Sequence, residues 1–310
     1  MSKLNKLINY IKLNSNIKNK KLSWLEIFAL LKNTIVEFFK EKTSIHCAAL
    51  SYYTVLTLVP IIYLSIMSFG RIIGQKTMVE IIAKFLKENI GITDVTGIID
   101  FLDQIDFENG SVIMQFIGVI IILISSSALF GSLKFSINEF FNIEKDFDTK
   151  KKVIMSNITT KLTSILLLTF FGLIVVLTYF AQTILISFGS KLLENLDTLQ
   201  WFFFMFTQHI LVILSNVLIF VLIFKYLNDA KVGWKIALSG SIFTAILLYI
   251  GQLLIKYYLS NYFFARDGGL AGTILVILVW MYYSSHIIFL GAKFTAEYAK
   301  AIGKPIKVSI

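Results

Sequence analysis

Six apolar stretches of roughly twenty residues divide this chain, near 47–70, 111–131, 162–186, 202–224, 236–259 and 270–292. Short charged segments separate them. A helix needs about 20 apolar residues to cross a hydrocarbon core of ~30 Å, so each stretch predicts a transmembrane helix. Ahead of the first, in LSWLEIFALLKNTIVEFFKEK, the period changes. Trp24, Phe28, Leu31, Ile35, Phe38 and Phe39 recur at three- and four-residue steps, with Glu26, Lys32, Asn33, Glu37, Lys40 and Glu41 between them. That segment is too charged to span and predicts an amphipathic helix, lying in the interface or packed under the bundle. The fold class expected is an all-α integral membrane protein of six transmembrane helices with an N-terminal amphipathic interfacial helix. Its parts are a Lys-rich tail plus that helix (1–45), the membrane domain (46–298) and a short tail (299–310).

Composition agrees with the pattern. Hydrophobic residues make up 56% of the 310-residue chain and charged residues 15%, against about 25% charged in a soluble domain. The net charge of +10 raises the question of nucleic acid. Its distribution answers it. With both termini on one side, that side holds 22 of the 29 Lys and Arg and 9 of the 19 Asp and Glu, a net of +13 against −3 opposite. Lysine and arginine concentrate beside the cytoplasmic ends of spans. The charge therefore predicts cytoplasmic termini and no nucleic-acid partner. The first 45 residues show no short apolar core with a small-residue cleavage site, so no cleavable signal peptide is expected. One cysteine, Cys47, excludes an internal disulfide and any multi-cysteine metal site. No metal and no cofactor are expected.

The first span carries more hydroxyls than lipid would reward. On a wheel of 100° per residue, Ser51, Tyr53, Thr54, Thr57, Ser65 and Ser68 fall within an arc of about 160°. Val55, Leu56, Val59, Ile62, Tyr63 and Ile66 lie opposite. A hydroxyl finds partners facing other helices or a wet cavity, not hydrocarbon. Pro60 removes one backbone hydrogen bond and predicts a kink. The arc reads either as the lining of a passage or as interhelical bonding without one. Other small residues predict packing seams: Ser125, Ala128 and Ser132; Ala237, Ser241 and Ala245; Gly268 and Gly272.

In the 40 residues between the first two spans, two short amphipathic helices are expected, one around Met78–Leu86 and one around Ile98–Ile105. Asp100, Asp103, Asp106 and Glu108 read there as a solvated face, since no glycine-centred calcium loop accompanies them. Ionisable groups in the bilayer are functional candidates. Here they are His209 and His286, with Lys256 expected to snorkel to the outer interface. Trp280, Ser284 and Asn138 complete the candidate pathway set.

The stretch AALSYYTVLTLVP resembles the first-span signature of the YihY/BrkB family of bacterial inner-membrane proteins. SLKFSINEFF, with Asn138, and DGGLAGTILVILVWMYYSSHIIFLGAKFTAEYA resemble that family's second-span and closing segments. The resemblance covers roughly residues 25–300 and implies six spans in the bacterial plasma (inner) membrane with cytoplasmic ends. One departure is visible. The family commonly places Glu directly after the final Gly-Ala, where this chain has Lys293 and regains a carboxylate only at Glu297.

Family members have carried the labels ribonuclease BN and virulence factor BrkB, and the first can be tested on chemistry. Metal-dependent hydrolysis wants clustered carboxylates and histidines. The three histidines, His46, His209 and His286, show no His-x-His or His-x-x-x-His spacing, and no RNA-stacking module is recognisable. The chain is read as a non-enzyme. No Walker A pattern appears, so it is not itself an ATP-driven motor. The leading expectation is a transporter or exporter of a lipid-like or small apolar substrate, because no Asp or Glu falls at mid-span. The alternative is a scaffold acting through a protein partner or as a homo-oligomer.

Overall fold

The computed structural model describes residues 23–86, 99, 112–143, 198–262 and 269–307, and most of 161–185. Helix α1 (Trp24–Lys40) is followed by α2 (Thr43–Ile73), α3 (Gln75–Phe85), α4 (Val112–Phe140), α5 (Lys161–Leu185), α6 (Thr198–Leu222), α7 (Trp234–Tyr262) and α8 (Gly269–Ala301). Six of these are long and apolar enough to cross a membrane: Thr43–Tyr63, Phe116–Phe140, Lys161–Leu185, Phe206–Leu227, Trp234–Tyr258 and Ala271–Ala301. The described residues contain no strand. The sequence pattern places all six and misplaces some ends. Helix α4 runs nine residues past position 131, and α8 nine past 292. Both extensions carry lysines or glutamates that end a hydropathy window without ending a helix. Of the two short helices expected in 71–110, the first is α3, with Val79, Ala83 and Leu86 buried. The second, apart from Ile99, the acidic residues beside it, Gly268 and the Lys-rich segment 1–22 lie outside the described residues.

Helix α8 is the hub, packing on α7, α2, α1 and α4, while α2 packs on α4 and α6 on α7. At one end α1 rests on the bundle, α2 and α7 begin, and α4 and α8 finish; this is the near end below. Helix α1 starts with a capping box. The Ser23 hydroxyl accepts from the Glu26 amide, and the Glu26 carboxylate accepts from the Ser23 amide at 2.9 Å, satisfying two donors that a helix start leaves open. Its apolar stripe is wider than its seat. Leu30, Thr34 and Phe38 are buried, whereas Trp24, Phe28, Ile35 and Phe39 stay exposed beside them.

The α7–α8 crossing is a close one. A Cβ on Gly240 would meet Thr295 Oγ1 at 1.9 Å, and one on Gly291 would meet Thr244 Oγ1 at 1.8 Å. The arrangement is reciprocal, with Gly240 four residues before Thr244 and Gly291 four before Thr295. Each threonine hydroxyl donates to its own glycine's carbonyl at 2.7 Å. The hydroxyl proton is thus satisfied within its own helix, and the threonine side chain, Oγ1 foremost, packs over the bare glycine opposite. Absence of two Cβ atoms lets the backbones approach, the main source of helix affinity in lipid.

Two left-handed residues end helices at the near end. Gly303 (φ 71°) follows α8, with its amide donating to Lys300 and that of Lys304 to Ala299 at 2.8 Å. Asn142 (φ 55°) does the same after α4, with the Ile143 amide donating to Asn138. These are Schellman closures, which satisfy carbonyls that a helix end leaves open.

Candidate functional site

The expected pathway residues separate into three groups. In the first span, the hydroxyls close on their own helix. Ser51 donates to the Cys47 carbonyl at 2.6 Å, Thr54 to Leu50 at 2.7 Å and Thr57 to Tyr53 at 2.7 Å. Ser51 and Thr57 are buried, with Ser51 Oγ 3.5 Å from Ser285 Oγ on α8. Tyr53 is half-buried and meets Tyr52 edge-on. Helix α2 continues through Pro60 to Ile73. The small residues of α7 (Ala237, Ser241 and Ala245) are fully buried and Gly272 is buried. Ser125, Ala128 and Ser132 are only half-buried, because α4 turns Ser126, Phe130, Leu133 and Ser136 inward instead.

Each histidine in the spans is engaged at Nδ1. His209 Nδ1 lies 2.5 Å from the Tyr249 hydroxyl, on an exposed face of α6. His286 Nδ1 lies 2.9 Å from the Tyr282 carbonyl, with its ring against Tyr282 and Phe38.

Trp280 and Ser284 differ from all of these. Trp280 Nε1 and Ser284 Oγ are buried and make no hydrogen bond among the described residues. They stand four residues apart on α8, hence on one face. Ser51, Thr54, Thr57, Ser241, Thr244, Ser285 and Thr295 all donate to the carbonyl four residues back. Ser284 does not. An indole N–H only donates, and a hydroxyl donates as well as accepts. The pair therefore offers two donors to an oxygen that the described residues do not provide.

A second polar assembly occupies the near end. Lys293, 1% exposed, places Nζ 2.5 Å from Glu41 Oε1, while Glu41 Oε2 is buried with no hydrogen bond among the described residues. His46 is buried with Nδ1 2.9 Å from Ser136 Oγ and Nε2 3.2 Å from Glu139 Oε2. In the neutral ring, an Nε2–H donating to the carboxylate leaves Nδ1 to accept from the serine. Asn138 binds Asp229 twice. Its amide group donates to Oδ2 at 2.8 Å and its oxygen accepts from the Asp229 amide at 3.0 Å. Lys134 Nζ sits 2.9 Å from Asp229 Oδ1.

Stacked rings of Phe38, Phe140 and Phe289 run between these pairs, and His46 meets Phe140 and Phe289 edge-on. On α1 the Lys40 hydrogen bond holds the Glu37 carboxyl below its ordinary range. The described residues bring no three metal-ligating side chains together. Of this assembly, sequence reasoning marked Asn138 as a site and Lys293 as a departure. The signal for Glu41 was its position at the end of an amphipathic helix, one carboxylate among several.

A fold of six spans, the last of them the hub, defines a multi-pass membrane protein, and the comparisons give its family. The family model described as virulence factor BrkB matches residues 34–307, so the chain belongs to that family. Curated relatives are named as UPF0761 membrane proteins. That of Aggregatibacter aphrophilus is 23% identical over 275 residues, covering 85% of this chain and 89% of the relative. That of Pseudoalteromonas translucida is 22% identical, covering 83% and 81%. A shorter match, 32% over 78 residues, joins the chain to the protein of Tolumonas auensis. No solved structure matches.

Proposed function

We propose that this protein is a transporter or exporter of a lipid-like substrate in the bacterial inner membrane, with both termini cytoplasmic. The observation that carries the reading is the open donor pair of Trp280 and Ser284, near the middle of the sixth span. A buried donor left unpaired costs about 1–3 kcal/mol. An oxygen on a passing amphiphile, such as a hydroxyl or ester carbonyl, would accept from both. The charge pattern favours such a substrate over an ionic one. The acidic residues within the six described spans, Glu139 and Glu297, both sit at the near end. The lysine excess at that end supports the orientation.

The test is native mass spectrometry of the protein purified in a mild detergent. Retention of a stoichiometric lipid or lipid-linked species by the natural chain, lost from the Trp280→Phe/Ser284→Ala variant, supports the reading. Equal retention in both chains contradicts it. The scaffold reading draws on one observation, that the hydroxyls of the first span are spent on their own carbonyls and so serve packing. Co-purification of one partner protein with the double variant as with the natural chain would favour it.

A further inference from the structure

The near end holds a cavity of about 250 Å³ between the start of α7 and the end of α8, lined by Trp234, Lys235, Ile236, Tyr298, Ile302 and Lys304. Several lysines at this end meet carboxylates: Lys40 with Glu37, Lys134 with Asp229, Lys293 with Glu41 and Lys300 with Glu297. Lys235 and Lys304 form no such pair among the described residues. The chain is built to hold Lys304 there. The left-handed turn at Gly303 reverses α8, and the Lys231 amide donating to the Lys307 carbonyl at 3.1 Å ties the tail back toward α7. A third cation stands close by, with Lys225 Nζ 5.4 Å from the centre of the Trp234 ring.

We propose that this cavity binds the phosphate of an anionic phospholipid headgroup. Two exposed lysines lining a cavity with apolar and aromatic walls suit a phosphodiester, and the surroundings suit its acyl chains. Trp234 is the first residue of the fifth span and Tyr298 lies three residues before the end of the sixth. Interfacial tryptophan and tyrosine belong at that depth. Below Trp234 a row of exposed apolar side chains continues at four-residue steps through Leu238, Ile242, Ile246 and Ile250. That gives an acyl chain a continuous track down α7. A soluble phosphate would gain nothing from it. The proposal goes beyond the transport reading. Tyr298 is 18 residues from Trp280, roughly 27 Å along a helix.

The test uses the full chain in mild detergent, stripped of lipid and titrated with short-chain phosphatidylglycerol, short-chain phosphatidylcholine and inorganic phosphate. The expected result is phosphatidylglycerol binding at least tenfold tighter than phosphatidylcholine. Lys235→Gln/Lys304→Gln should remove most of that preference with an unchanged melting temperature. Lys32→Gln, an exposed lysine on α1, should leave it intact. Equal binding of the two lipids overturns the proposal, as does an undiminished preference in the double variant. So does a loss in Lys32→Gln as large as in the double variant, which would mean diffuse charge attraction. Displacement of the lipid by equimolar inorganic phosphate also overturns it, marking a site for soluble phosphate.

Discussion

Lys293 on α8 and Glu41 at the end of α1, 252 positions apart in the chain, form an ion pair in which the lysine is 1% exposed. The pair fastens α1 to the hub helix at the position where the family commonly has the opposite charge. A buried ion pair contributes little net stability, but removing one partner strands the other and costs about 3–5 kcal/mol. Lys293→Met should therefore lower the thermal midpoint strongly, and Glu41→Gln nearly as much. Lys293→Met/Glu41→Leu should recover most of the loss. The exchanged chain, Glu41→Lys/Lys293→Glu, should be more stable than either single variant. A double-mutant cycle of detergent melting curves checks this, and an additive result would contradict the coupling.

The reciprocal glycine–threonine crossing gives a steric prediction. Gly291→Ala places a methyl against Thr244 and should cost about 1–3 kcal/mol through overpacking. Gly291→Ala/Thr244→Ala should regain part of it. Gly131→Ala is the control, since a Cβ there meets nothing within 4 Å. Unfolding midpoints decide it.

The closed hydroxyls of the first span predict tolerance. Ser51→Ala/Thr54→Ala/Thr57→Ala removes three donors together with the reason their carbonyls need a second partner. The variant should express normally and lose less than ~1 kcal/mol per site, within the range of an ordinary hydrogen bond. A collapse in stability would show that these groups serve other helices.

Orientation is checked by labelling. Asp100→Cys and Asn195→Cys should react with an impermeant maleimide only from outside the cell, and Lys304→Cys only after the membrane is opened. The natural Cys47 is fully buried and should stay silent. Labelling of Lys304→Cys in intact cells would invert the topology.

The hydropathy pattern carried the six spans because bilayer thickness dictates a length that any window detects. It could not carry what depends on pairs. Lys293 stood out as a departure from the family pattern, yet nothing along the chain linked it to Glu41. The α7–α8 crossing was missed for another reason. Ala237, Ser241 and Ala245 were sought as small residues at four-residue spacing. Gly240 against Thr295, and Gly291 against Thr244, make the close contact, because each threonine satisfies its hydroxyl on its own helix and packs over the bare glycine opposite. The wheel placed Ser51 and Thr57 inward, and both are buried, but Ile66 from the opposite side is buried as well, against α3 and α8. It could not show that their hydroxyls would be spent locally. Trp280 and Ser284 were marked by residue type, but their open donors are visible only once every neighbour is in place.

The most direct measurement is the movement of a labelled amphiphile, the species identified as bound, across proteoliposomes holding either the natural chain or Trp280→Phe/Ser284→Ala. The account predicts movement faster than in empty vesicles for the natural chain. It predicts at least a tenfold slowing in the double variant, whose melting temperature is unchanged or raised because two unpaired donors are gone. Equal rates in the two chains, or a natural chain no faster than empty vesicles, would contradict it.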